Sequence, residues 1–140
     1  MKSITILLVE DNEGDVLLTT EALESCKITN TLKVVNDGEE ALNFVFKKGP
    51  FANEKTPDLI LLDVNLPKKN GHEVLQILKA DSTYKHIPVV MLTTSSSTLD
   101  IKKAYSHYVN CYITKPVEPT DFLSAVAQIE NFWINIVKLP

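Results

Sequence analysis

Five positions in this chain carry side chains suited to moving a charged group: the adjacent acids Glu10 and Asp11, the acid Asp63, the hydroxyl of Thr93 and the ammonium of Lys115. Each stands at the end of a short apolar run. Ile4 to Val9 precedes Glu10, Asp58 to Leu62 precedes Asp63, Pro88 to Leu92 precedes Thr93, and Val109 to Ile113 precedes Thr114-Lys115-Pro116. A single loop carboxylate is ordinarily a solvated charge. Carboxylates that end neighbouring strands, however, share one small volume, and like charges held close are tolerated when a cation neutralises them. All-oxygen donors suit a hard ion, and Mg2+ takes one or two carboxylates, keeps several waters and bridges to phosphate. A lysine opposite can pair with a carboxylate at rest and with a phosphoryl oxygen later, while a threonine hydroxyl bonds another oxygen. This set therefore predicts phosphoryl transfer to a carboxylate, which acts as nucleophile and carries an acyl phosphate. Asp63 is the expected acceptor because it stands alone after its run, whereas Glu10 and Asp11 are adjacent and placed to hold the metal.

Those residues meet only if the right elements carry them. Leu32 to Val35 adds a fifth strand candidate, and segments with apolar residues three and four apart separate the runs: Val16, Leu17 and Leu23, then Ala41, Leu42 and Val45, then Val74, Leu75 and Leu78. A weaker fourth helix is expected over Leu99 to His107, and a last one from Pro119 towards Val137, long enough to extend beyond the body. Turn and breaker residues such as Asn36-Asp37-Gly38, Gly49-Pro50 and Asn70-Gly71 mark the boundaries. Unbroken apolar strands alternating with helices imply a parallel sheet covered on both faces. The expected fold is an α/β sandwich, the whole of 1–140 forming one domain, and Glu10, Asp11 and Asp63 meet at one rim if its five strands run in the order 2-1-3-4-5. In that order the first and third strands are neighbours, and ligands bind beyond the carboxyl ends of strands where the order reverses.

In order along the chain, Leu7-Leu8-Val9-Glu10-Asp11-Asn12, Leu61-Leu62-Asp63-Val64-Asn65-Leu66-Pro67, Thr93-Thr94-Ser95 and Thr114-Lys115-Pro116 resemble the motifs of the receiver domain of bacterial response regulators. Over nearly the whole chain the resemblance implies a flavodoxin-like, doubly wound sheet of five parallel strands in the order 2-1-3-4-5 with five helices, and a two-component response regulator that takes a phosphoryl group from a sensor histidine kinase. Carried over residue by residue, it makes Asp63 the phosphoacceptor, and Glu10, Asp11, Asp63 and the backbone carbonyl of Asn65 the Mg2+ ligands. Thr93 and Lys115 become phosphate contacts, Thr93 and Tyr112 the switch pair, and the Lys115-Pro116 bond cis. Two positions depart from the family pattern: Glu10 replaces an aspartate seen in many receivers, and Thr94 is larger than the small residue often found there. Asn110-Cys111-Tyr112, the ending from Phe132-Trp133 to Pro140 and the longer loop from Lys47 to Pro57 look like the single-domain regulators of cyanobacterial phytochromes and bacteriophytochromes, which implies a phytochrome as the kinase.

Composition narrows the alternatives. In 140 residues, 44% hydrophobic and 23% charged, all fourteen basic side chains are lysine, and the net charge is −4. Without arginine forks and with net acidity, nucleic acid and anionic membranes are poor partners. No apolar run approaches the ~20 residues that span a bilayer, and the start lacks the features of a signal peptide; a cytoplasmic location is expected. Cys26 and Cys111 lack metal or redox spacing and read as filler. His72, His86 and His107 read as surface residues, and the pairs Lys68-Lys69 and Lys102-Lys103 as solubilising charge. Phe132, Trp133, Ile136 and Leu139 either cover the body's own apolar edge or form an interface, to which Tyr105, Tyr108 and Tyr112 add aromatic anchors of the kind enriched there. A homodimer is expected through the fourth helix, fifth strand and last helix.

The expected role is a switch more than an enzyme, with self-phosphorylation and loss of the phosphoryl group by hydrolysis. Two other readings compete: a phosphorylation-independent adaptor of the same fold, and a small Mg2+-dependent aspartyl phosphatase. The second lacks a cap domain and a second acid two residues after Asp63. A flavin carrier is disfavoured because Glu10-Asp11 stands where a hydroxyl- and glycine-rich phosphate loop belongs.

Overall fold

The computed structural model describes residues 4–26, 30–94 and 111–127. Five parallel strands, β1 (Ile4–Val9), β2 (Asn30–Val35), β3 (Leu59–Asp63), β4 (Val89–Thr93) and β5 (Cys111–Thr114), form one sheet in the order β2-β1-β3-β4-β5. The described helices are α1 (Glu13–Ser25), α2 (Gly38–Val45), α3 (Gly71–Ala80) and α4 (Pro119–Ala127), the last being the start of the final helix expected from sequence. The expected fourth helix over 99–107 and the extension beyond 127 lie outside the described residues, as do Ser95, Tyr105, His107, Tyr108 and the aromatic ending. Among the described residues no helix is long and apolar enough to cross a membrane.

Strand alternation explains why the runs are apolar without a break. Ile4, Ile6 and Leu8 of β1, Leu59 and Leu61 of β3, Val90 and Leu92 of β4 and Ile113 of β5 pack in one cluster with Ala22 and Leu23 of α1 and Phe122 and Ala125 of α4. The opposite parity, Leu7, Val9, Ile60, Leu62, Val89 and Met91, packs with Phe44 of α2 and Val74, Leu75 and Leu78 of α3. Successive side chains point to opposite faces of a strand. With helices on both faces, every position of β3 and β4, and of β1 all but Thr5, is therefore buried, each large side chain contributing about 1.5–3 kcal/mol.

Local chemistry sets the helix starts. Asn12 caps α1 by accepting the Asp15 N–H (2.9 Å), and Asp37 caps α2 through the Glu40 N–H (2.7 Å). Asn70 and Glu73 form a reciprocal capping box on α3. The β5 turn contains the cis Lys115-Pro116 bond.

Asp63 and Thr93 are the last residues of their strands, as expected. Two expectations need correction. On α1, Leu17 and Leu18 are 58% and 46% exposed. The inward stripe is Val16, Thr19, Leu23 and Cys26, three or four residues apart, and Leu17 lies about 100° round the helix from Val16. His72 is buried, because it falls three and six residues before Leu75 and Leu78 on the face of α3 that covers the sheet. His86 is exposed as expected.

Candidate functional site

The same alternation that builds the core delivers the polar residues. Counting on by two from Leu8, Leu61 and Ile113 gives Glu10, Asp63 and Lys115, which continue the rows facing α1. Carboxylate oxygens of Glu10, Asp11 and Asp63 lie within 4.8 Å of one another. Lys115 Nζ lies 2.9 Å from Glu10 Oε1 and 3.3 Å from Asp63 Oδ2. β1 and β3 are adjacent, with Leu8 paired to Leu61 and Val9 to Leu62, so the acids meet where the chain has crossed from β2 on one side of β1 to β3 on the other.

Backbone bonds hold this rim in place. The Glu10 N–H donates to the Val35 carbonyl (3.0 Å), and the Asn36 side-chain amide donates to the Glu10 carbonyl (3.0 Å). The Asn12 N–H donates to Glu10 Oε2 (3.2 Å). At β3, the Asn65 N–H points at Asp63 Oδ1 (3.4 Å), and the Val64 N–H bonds the Leu92 carbonyl (3.0 Å). Gly71 closes the loop: its N–H bonds the Val64 carbonyl at 2.9 Å, and a Cβ there would collide with the backbone carbonyl of Asp63. Gly38 similarly abuts the Lys69 carbonyl, and Lys68, at φ 65°, lies 3.7 Å from Asp37.

Glu10 and Asp63 are 0% and 2% exposed, whereas Asp11 is open to solvent. Burial pushes the Glu10 carboxyl up to about 7; its bond to Lys115 pulls down, and Asp63 beside it pushes up further. Burial alone would lower the Lys115 pKa, but the bonds to Glu10 and Asp15 and the Asp63 charge outweigh it and hold the ammonium well above the ordinary lysine value. The lysine is thus a permanent cation facing acids of which one titrates near neutrality.

Thr93 and Tyr112 belong to the other parity. Thr93 is buried at the end of β4, and its carbonyl accepts the Lys115 N–H at 2.7 Å. Tyr112, opposite Met91, is half-buried against the α2–α3 cluster. The structure thus gathers Glu10, Asp11, Asp63 and Lys115 directly, sets Asn65 beside Asp63, and links Thr93 through its backbone. Sequence reasoning missed Asp15, whose Oδ2 lies 2.9 Å from Lys115 Nζ. The cue was available: an acid in the first turn after an Asn cap that directly follows the acidic pair.

The donor set fits a hard divalent cation, being three carboxylates with nitrogen and sulfur donors absent from the cluster. A parallel sheet of this order with acids at the switch point and a lysine opposite defines a receiver-type phosphoacceptor class. A family model described as the response regulator receiver domain matches residues 6–127. Response regulator Rcp1 of Synechocystis sp. (strain ATCC 27184 / PCC 6803 / Kazusa) is 44% identical over 135 residues, 96% of this chain and 92% of that protein. Its Mn2+-bound crystal structure superposes with a TM-score of 0.78 at 44% identity, covering 98% of this chain and 99% of that one. The phosphorylated cyanobacterial phytochrome response regulator RcpA is 45% identical with a TM-score of 0.81, covering 99% of each chain. The bacteriophytochrome response regulator RtBRR is 44% identical with a TM-score of 0.86, covering 94% of this chain and 81% of that one. This chain belongs to the response regulator receiver family.

Proposed function

We propose that this response regulator accepts a phosphoryl group from a phytochrome-type sensor histidine kinase onto Asp63, with 1–140 acting as one receiver domain. The observation that carries the reading is the convergence of Glu10, Asp11, Asp63 and Lys115 at the end of β1 and β3. An oxygen of the Asp63 carboxylate attacks phosphorus, the bond from phosphorus to the donor's imidazole nitrogen breaks, and the imidazole leaves with that electron pair. Lys115, now paired with Glu10 and Asp63, turns its ammonium to a phosphoryl oxygen, and the Thr93 hydroxyl bonds another. Glu10, Asp11 and Asp63, with the Asn65 carbonyl, would hold Mg2+. That ion, when bound, supplies positive charge against the spread of negative charge over the transferring oxygens. Water later attacks phosphorus and releases phosphate, restoring the carboxylate.

Relatives described as phytochrome and bacteriophytochrome regulators, one of them phosphorylated, support the partner and the chemistry. The signal leaves through a shift between two surfaces in which Thr93 moves to the phosphoryl group and Tyr112 turns inward. The homodimer through the fourth helix, β5 and the last helix belongs to the same reading and is supported by the aromatic residues of that sequence. The test is intact-mass measurement after acetyl phosphate treatment with and without Mg2+. One Mg2+-dependent phosphoryl adduct is expected in wild type and none in Asp63→Asn. A wild type that gains no adduct, even with kinase supplied, leaves the adaptor reading instead.

A further inference from the structure

Asp15 reaches Lys115 as closely as Glu10 does, at 2.9 Å each, against 3.3 Å for Asp63. Yet it stands outside the trio whose oxygens lie within 4.8 Å of one another. Its side chain is 30% exposed on the first turn of α1, while that of Lys115 is 8% exposed. One residue refers both carboxylates to a common frame: Asn12 Oδ1 accepts the Asp15 N–H, and the Asn12 N–H donates to Glu10 Oε2. The ammonium and a divalent cation therefore compete for Glu10 and Asp63 but not for Asp15.

We propose that Asp15 is a positioning residue that holds Lys115 aside when a divalent cation takes Glu10 and Asp63, and so sets how tightly the trio binds that cation. The inference rests on the phosphoacceptor reading, which puts the cation on the trio. Without Asp15 the nearly buried ammonium either stays on Glu10 and Asp63 and opposes the cation, or loses its charged partners where water is scarce. On the phosphoryl group Asp15 acts in the opposite direction, since it competes for the same ammonium and repels the incoming charge.

Calorimetric Mg2+ titration of wild type, Asp15→Asn, Lys115→Met and the double variant separates this role from a bare charge effect. Asp15→Asn weakens Mg2+ binding by roughly tenfold or more, since one unit charge about 4 Å away changes binding about fivefold at the dielectric of water and about a thousandfold at an effective value of about 20. In the Lys115→Met background the same change has roughly a threefold effect or less, because only screened through-space attraction is left. Equal factors in both backgrounds, or no weakening in the single variant, overturn the inference. A second measurement needs no variant: reductive methylation of the Lys115 amine in wild type stays slow when Mg2+ is added, because Asp15 still holds it, and acceleration by Mg2+ overturns the role. A wild type that takes up no Mg2+ overturns the phosphoacceptor reading as well, whereas Mg2+ binding with equal factors removes only the part assigned to Asp15.

Discussion

Lys115 Nζ bonds Glu10 Oε1 at 2.9 Å across 105 positions of sequence, joining the two ends of the described chain at the rim of its sheet. The side chains are 8% and 1% exposed, so neither charge is well solvated and each depends on the other. Removing one partner of a buried pair ordinarily costs about 3–5 kcal/mol, because the remaining charge is left uncompensated.

Lys115→Met is expected to cost less than that. Glu10 already titrates near neutrality, so on losing the ammonium it takes up a proton and does not stay buried as an anion. The variant should melt as a folded protein with the Glu10 pKa moved further up, read by carboxyl NMR titration. Its acetyl phosphate reaction should slow by roughly 100-fold or more, the usual scale for losing a group that stabilises developing charge. An unmoved Glu10 titration contradicts the coupling.

The pH dependence follows from the same residue. With its carboxyl pushed up from 4.5 to about 7, folded Glu10 keeps a proton that the unfolded chain has released. Its stabilising contribution is therefore complete below the unfolded pKa and is lost as pH rises through about 7. Mg2+ must displace that proton, so its affinity should climb with pH, by up to about tenfold per unit below the Glu10 pKa, and flatten above it. Titrations at several pH values check this, and Glu10→Gln should remove most of the slope. An affinity that does not change between about pH 5 and about 8 rules the linkage out.

Gly71 makes β3 and α3 meet. A methyl group there would collide with the carbonyl of Asp63. Gly71→Ala should cost roughly 1–3 kcal/mol, as overpacking does, and should displace Asp63. Thermal melts and phosphoryl adduct yield should fall together, while Gly49→Ala, at an open position with φ 59°, should lower stability without touching the adduct yield.

The dimer is checked by sedimentation at high micromolar concentration with and without a phosphate mimic. An associating species is expected. A monomer under both conditions removes the homodimer from the proposed function.

Strand existence and the identity of the acids were legible in the chain because each rests on local pattern, whereas the sheet order came with the receiver resemblance. Leu7-Leu8-Val9-Glu10-Asp11 shows an apolar strand ending in charge whatever surrounds it. The start of β2 was misjudged by two residues, at Asn30 and not Leu32, because ladder pairing, and not composition, decides where a strand begins. His72 was misplaced for a related reason: a polar residue reads as solvated until the phase of its helix against the sheet is known. Leu17 was misplaced the other way, an apolar residue left facing outward by that phase.

The amino-acid order by itself determined the parity of each strand, and with it that Glu10, Asp63 and Lys115 continue rows facing the same layer of helices. Only tertiary structure decided which carboxylates the ammonium touches, and that Asp15 is among them. Side-chain distances across separate elements depend on how α1 docks on the sheet and on where its capping residue sets the first turn, and those are properties of packing between segments far apart in sequence.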